Sequence, residues 1–122
     1  MEIQVLKYAL TVCKVGSLED IDFKDEIFFI GKTDEELSLV CTTAAAPSDT
    51  VEREDGWRGF RICGTLEFSL VGILSKLSAI LADKGIGIFA VSTYNTDYIL
   101  VKSENLERAV AALAEAGYKV VE

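Results

Sequence analysis

Two stretches of this chain repeat one another, and that repeat limits what it can fold into. Ile27–Cys41 reads IFFIGKTDEELSLVC and Ile88–Lys102 reads IFAVSTYNTDYILVK, aligned without a gap at an offset of 61. Ile27 falls on Ile88, Phe28 on Phe89, Leu39 on Leu100, Val40 on Val101 and Glu36 on Asp97. In each copy an apolar run leads into a polar turn, an acidic residue and a second apolar run. A repeat of this period points to a duplicated supersecondary unit, hence a chain of two modules. Two unrelated strand–turn–strand segments are the alternative, because apolar runs resemble one another easily.

With 122 residues, half of them apolar, the chain can build one ordinary domain or two very small ones. No apolar run is long enough to cross a bilayer, and Met1-Glu2-Ile3-Gln4 lacks the basic start of a signal peptide. The expectation is a cytoplasmic protein with no membrane partner. The net charge of −8 argues against nucleic acid, whose phosphates need clustered Lys and Arg. Histidine is absent, so Ser-His-Asp and Cys-His catalysis and histidine metal ligands are excluded within this chain. Cys13, Cys41 and Cys63 form no C-x-x-C pair, and each sits in an apolar run, as small core residues do. No metal or cofactor is expected.

Along the chain, Ile3–Val15 has strand character, Gly16–Glu26 is polar, Ile27–Gly31 is a strand, and Leu37–Cys41 is another. Thr33-Asp34-Glu35-Glu36 matches a capping box and predicts a single helical turn. Thr42–Gly56, with the only proline, is the best linker candidate. Trp57–Cys63 reads as a strand. Ser69 then caps a helix whose stripe is Leu70, Ile73, Leu74, Leu77, Ile80 and Leu81, ended by Gly85. Ile86–Ser92, apolar on both alternations, predicts a central buried strand. Asp97–Lys102 follows as a strand, Ser103 caps a second helix, Gly117 ends it, and Tyr118–Val121 is a last short strand.

The order from Trp57 onward is β-α-β-β-α-β. The fold class is therefore α+β, a ferredoxin-like βαββαβ plait with both helices on one sheet face. The first half repeats it with short or missing helices. The expected organisation is tandem: residues 1–47 as a reduced N-terminal copy, 48–56 as a linker, and 57–122 as a complete copy on which the first packs. Apolar residues on both sheet faces predict that the N-terminal half or another subunit packs on the second face or edge, and the apolar content with the reduced first module predicts a homodimer.

Four segments carry a family resemblance: TDEELSLVC, GWRGFRICG, LEFSLVGILSKLSAILADKGIGIFAVSTYNTDYILV and ENLERAVAALAEAGY. The chain resembles the ACT domain, a small ligand-binding regulatory module. It is similar in particular to the tandem ACT proteins related to the cytosolic arginine sensors called CASTOR. The resemblance implies a non-catalytic regulator that binds a free amino acid where two ACT modules meet and reports to a downstream protein. It places first-loop ligand positions at Gly64, Glu67, Phe68, Ser69, Leu70 and Val71, and second-turn positions at Thr93, Tyr94 and Asp97. In the arginine sensors the acid matching Asp97 recognises the cationic ligand head. The family's usual first-loop glycine is not found at Ser69, and the nearby Gly72 falls inside the expected helix.

The chemistry of these positions suits an amino acid. A carboxylate is drawn to free backbone N–H groups at a helix N-terminus, here the helix expected to start at Ser69. An ammonium is drawn to Asp97 or Glu67, and Tyr94 offers an apolar wall with a polar tip. Each residue also has a plainer reading: Asp97 as a turn residue, Glu67 as a solvated acid, Ser69 as a cap alone, and Gly64 as a turn former. An acylphosphatase-like enzyme on the same plait would need an arginine in the GTLEFS loop, and a metal chaperone would need paired cysteines there; neither is present. A ligand-free structural oligomerisation module is the alternative function.

Overall fold

The computed structural model describes residues 2–63 and 72–122. The chain divides into two compact units. One comprises Met1–Lys7 with Arg58–Glu122, and the other Tyr8–Trp57. Expected boundaries at 47 and 57 follow the chain in order; the compact units do not, because the first residues join the C-terminal part.

The discontinuous unit contains β1 (Glu2–Val5), the second half of β5 (Glu52–Ile62), α1 (Ile73–Asp83), β6 (Phe89–Ser92), β7 (Asp97–Lys102), α2 (Leu106–Glu115) and β8 (Lys119–Val121). From β5 onward this is the expected β-α-β-β-α-β order. Its strands run in space β6-β7-β5-β1-β8. A plait made only of residues 57–122 would place β8 against β5. Instead β1 lies between them, antiparallel to β5 with Ile3 opposite Ile62, and parallel to β8 with Ile3 opposite Val120. Alternation explains the fit: Ile3 and Val5 are buried, whereas Glu2 and Gln4 are only half-buried.

One core serves this unit. Ile3, Val5, Phe60, Ile62, Ile99 and Val101 from the sheet meet Leu77, Leu81, Ala109 and Leu113 from the helices. Leu77 and Leu81 are one turn apart on α1 and fully buried. Each such side chain contributes about 1.5–3 kcal/mol by leaving water. The α1 stripe ends as expected at Gly85, whose φ of +72° suits glycine. Gly85 N–H donates to Ala82 O and Ile86 N–H to Leu81 O, closing the last turn.

Three local expectations differ in the structure. Ser103 does not cap α2: residues Ser103–Asn105 form a 3-10 turn, and α2 begins at Leu106 without a side-chain cap. Among the described residues strand β6 pairs only with β7, so it is a half-buried edge strand and not a central one. Its double-sided apolar pattern does not reflect two covered faces, since Ala90 is exposed. On α1, the expected cap Ser69 lies outside the described residues; the described helix starts at Ile73, after Gly72 in a left-handed conformation (φ +87°).

The Tyr8–Trp57 unit contains β2 (Leu10–Lys14), a 3-10 turn at Leu18–Asp20, β3 (Phe28–Lys32), β4 (Leu37–Thr42), a 3-10 turn at Thr43–Ala45, and the first half of β5. The strands run β3-β4-β2-β5. This is the plait's strand order, with a 3-10 turn in each place where a helix would stand. Its core is small: Cys13, Val15, Ile21, Leu39 and Cys41, with Phe28, Ile30, Leu37 and Ala46 packed against it.

Residues 52–56, expected within a linker, are strand and pair with β2. A polar network ties this region down. The buried Thr11 hydroxyl donates to Asp55 Oδ1 (2.7 Å) and lies 3.0 Å from Thr43 Oγ1. Arg53 Nε donates to the same Asp55 oxygen at 2.9 Å, and Arg53 Nη1 to Pro47 O at 3.2 Å. Thr33–Glu36 is not a helical turn but the four-residue loop of the β3–β4 hairpin. Thr33 Oγ1 accepts from the N–H groups of Glu35 and Glu36, as in a capping box, yet the strands continue on either side.

Candidate functional site

The second-turn residues Thr93, Tyr94 and Asp97 are brought together by the β6–β7 hairpin. Ser92 and Asp97 are the last paired residues, leaving Thr93–Thr96 as the loop. Thr93 N–H donates to Thr96 O at 2.8 Å, and the Thr93 hydroxyl donates to the same carbonyl at 2.9 Å. Thr93 therefore closes its own turn, a structural duty. Tyr94, expected as an apolar wall, is 82% exposed at the tip. Asp97 is half-buried and accepts a 2.6 Å hydrogen bond from Ser92 Oγ on Oδ1. Ser92 thereby orients the Asp97 carboxylate.

The first-loop positions Gly64, Glu67, Phe68, Ser69, Leu70 and Val71 lie outside the described residues. Residues on either side still locate the hairpin. Thr96, only 8% exposed, donates its hydroxyl to Ile62 O at 2.8 Å. Ile62 is the last residue of β5, just before that loop. The turn is thus anchored to the strand end from which the first loop departs. Thr96 is a positioning residue that sequence reasoning passed over; its sign was the repeated Thr-x-x pattern of TDEE and TYNT.

Arg61 and Tyr98 were also missed. Arg61 Nε donates to Tyr98 Oη (3.1 Å), Nη1 donates to Gln4 Oε1 (3.1 Å), and the guanidinium stands 5.3 Å from the Tyr98 ring centroid. The strand alternation put Arg61 and Tyr98 on the face away from the helices, but only pairing in space joins them. A separate concave surface of about 360 Å³ in the Tyr8–Trp57 unit is lined by residues including Tyr8, Asp22, Lys24, Asp25 and Glu26. Thr93, Tyr94 and Asp97 are not among its lining residues. Both Asp25 oxygens are already engaged, by the N–H and hydroxyl of Thr42. Among the described residues no group of three or more His, Cys, Asp or Glu side chains could hold a metal ion. No described helix is long and apolar enough to cross a membrane.

Comparison with known proteins agrees with this architecture. Residues 52–115 match a family model described as ACT domain. A crystal structure of an Agobacterium tumefaciens protein is similar at 32% identity and a TM-score of 0.85, covering 98% of this chain and 91% of that one. A Vibrio cholerae protein, titled as of unknown function and a possible transport protein, matches at 23% identity and a TM-score of 0.73, over 93% and 88% of the two chains. The ligand-free regulatory subunit of aspartate kinase from Thermus thermophilus matches at 12% identity and a TM-score of 0.63, over 96% and 98%. The last two likenesses show the fold alone. No curated protein matches the chain. The family model spans more than half of the residues, β5 through α2, and the chain belongs to the ACT domain family.

Proposed function

We propose that this protein is a non-catalytic regulatory module that binds a free amino acid at an interface between two ACT units, with Asp97 holding the ligand's cationic group. The observation that carries this reading is Asp97 itself: a half-buried carboxylate oriented by Ser92, on a turn anchored through Thr96 to the end of β5. A carboxylate held by a neutral hydroxyl, with no cation bonded to it among the described ion pairs, is an attractive counter-charge for an ammonium or guanidinium. ACT domains are commonly regulatory modules that bind amino acids, and one protein of the same fold is named as a regulatory subunit.

The reading extends further in the same terms. The Tyr8–Trp57 unit is a reduced second ACT copy, since its strand order, hairpin and 3-10 turn follow the pattern of the first. The relationship to the arginine sensors, the homodimer, the cytoplasmic location and the downstream protein target belong to this proposal. The test is a thermal-melt screen against the twenty amino acids at millimolar concentration. A ligand present at a hundred times its dissociation constant stabilises by about 2.7 kcal/mol. That is a shift of several degrees at this size. A shift with one amino acid or one chemical group supports the reading. No shift with any of them, in a protein that sediments as a stable oligomer, favours the ligand-free oligomerisation module.

A further inference from the structure

Where the Tyr8–Trp57 unit lacks the helices of the plait, it carries a groove. In the discontinuous unit the two crossovers are α1 and α2, joined where Arg108 Nη1 donates to Lys84 O at 2.9 Å. In the Tyr8–Trp57 unit the same crossovers are a loop after the Leu18–Asp20 turn, and the Thr43–Ala45 turn. The concave surface of about 360 Å³ is lined by both. The first crossover supplies Asp22, Lys24, Asp25 and Glu26, and the second supplies Ala44 and Ala45. Its walls are fixed. Thr42 N–H donates to Asp25 Oδ2 at 2.9 Å and the Thr42 hydroxyl to Oδ1 at 2.7 Å, which fastens the loop to the end of β4. Ile21 anchors the same loop in the small core. A groove held in this way needs little ordering when a partner arrives.

Two further features identify the occupant. The first crossover leaves large apolar side chains outside: Leu18 is 44% and Phe23 59% exposed. Phe23 is steadied by an edge-on contact with Phe28, ring centroids 5.5 Å apart. Rigid aromatic rings of this kind anchor protein contacts. Charge then selects among partners. Residues 16–26 hold five acids and one lysine, in a chain of net charge −8. A second copy, a nucleic acid or an anionic membrane is repelled by that field, and a basic segment is attracted.

We propose that the groove and Phe23 dock a basic, partly apolar segment of another protein. An arginine or lysine side chain enters the groove, its stem along Ala44 and Ala45 and its charged head at Asp22 and Glu26. An apolar residue of the same segment covers Phe23. A small cation alone would leave that ring and Leu18 in water. The inference rests on the regulatory reading for the existence of a downstream protein partner, and makes no use of Asp97.

The experiment titrates the full-length, nitrogen-15-labelled protein with a synthetic peptide of arginine and leucine spaced by glutamine. Two control peptides carry serine for leucine, or glutamate for arginine. Saturable amide shifts are expected at residues 22–26 and 42–45 with the first peptide. The serine control should bind about fivefold more weakly or worse, and the glutamate control should not bind. Phe23→Ser should weaken the first peptide by about fivefold or more, and so should Asp22→Asn with Glu26→Gln. The latter pair keeps the side-chain oxygen that accepts from Lys24 N–H. Asp83→Asn with Glu104→Gln removes the same charge from exposed places in the other unit and should leave binding unchanged. Equal losses from the two charge pairs, or shifts that never saturate, would reduce the effect to general attraction and overturn the proposal. Equal shifts with free arginine amide would make the groove a small-molecule pocket, and the same shifts on concentrating the protein alone would make a second copy the occupant; either overturns it. Should Phe23→Ser fail to fold, the serine control on the wild-type protein decides the apolar requirement. The groove variants should keep any amino-acid melting shift that the wild type shows, so failure here and failure at Asp97 are read separately.

Discussion

Thr33 and Thr93 close the same hairpin turn at positions 60 residues apart. Each donates its backbone N–H to the carbonyl of the residue three further on, Glu36 O at 2.9 Å and Thr96 O at 2.8 Å. Strands β4 (Leu37–Thr42) and β7 (Asp97–Lys102), and the 3-10 turns after them, keep the same offset. Both strands pass from half-buried ends to three buried central residues. The repeat is therefore in register at 60, not at the 61 that best matches letters. Glu36 corresponds to Thr96, and Asp97 corresponds to Leu37. The hairpin of the Tyr8–Trp57 unit has no acid where Asp97 stands.

On the proposed amino-acid-binding reading, that register gives one ligand per chain. Asp97→Ala should abolish the amino-acid-dependent melting shift while leaving a cooperative melt. Leu37→Ala should weaken the fold but retain the shift. Calorimetric titration of the wild-type protein should give one site per chain; two equivalent sites would contradict the assignment of Asp97.

Thr96→Val should cost about 1–3 kcal/mol in urea unfolding, because it strands the Ile62 carbonyl without its donor in a buried place. The same change at Thr33 should cost less, since its turn is exposed and water replaces the hydroxyl. Equal losses at the two positions would show that the Thr96–Ile62 bond adds nothing beyond the turn.

Acid should loosen the Tyr8–Trp57 unit through Asp55. The Thr11 hydroxyl, then Arg53, hold the Asp55 carboxyl below its ordinary value. A depressed folded-state pKa contributes stability above the unfolded value, near about 3.9, and that contribution disappears as pH falls through the folded value. The melting temperature of the wild type should exceed that of Asp55→Asn at pH 7, and the two should converge as the pH drops below about 4. A constant gap across that range would mean the carboxylate charge is not what matters.

Leu81→Ala should destabilise by about 2–5 kcal/mol, by removing a fully buried side chain at the centre of the α1 contact. Circular dichroism in urea checks the magnitude. A loss under 1 kcal/mol would imply that the helix shifts to refill the space.

Much of the architecture was legible because periodicity reports burial. The α1 stripe, Gly85 and Gly117 marked the helices, and the apolar run of β7 marked a strand, whose three central residues are buried. Long-range pairing was not legible. Nothing in EIQV states that it will part β5 from β8, and nothing in FAVS separates an edge strand from a central one. The Thr33 motif misled for a physical reason: a threonine hydroxyl accepting from backbone N–H groups two and three residues on serves a helix cap and a hairpin turn equally well. Of the proposed site, sequence alone located the Asp97 turn but not Thr96, whose role exists only through a contact across the sheet.

The placement of β1 has a practical consequence for anyone dissecting this molecule. Neither unit can be reached by trimming from an end. Removing the first seven residues takes an interior strand out of the ACT sheet, although the family match begins only at residue 52. The chain leaves that sheet after Lys7 and re-enters it at Arg58, with Leu6 N–H bonded to Gly59 O at 2.8 Å across the junction. That junction is the natural cut: excising Tyr8–Trp57 and joining Lys7 to Arg58 by a short turn would make a hairpin of β1 and β5. A gene fragment chosen by family boundaries alone would lack the strand that holds β5 and β8 together.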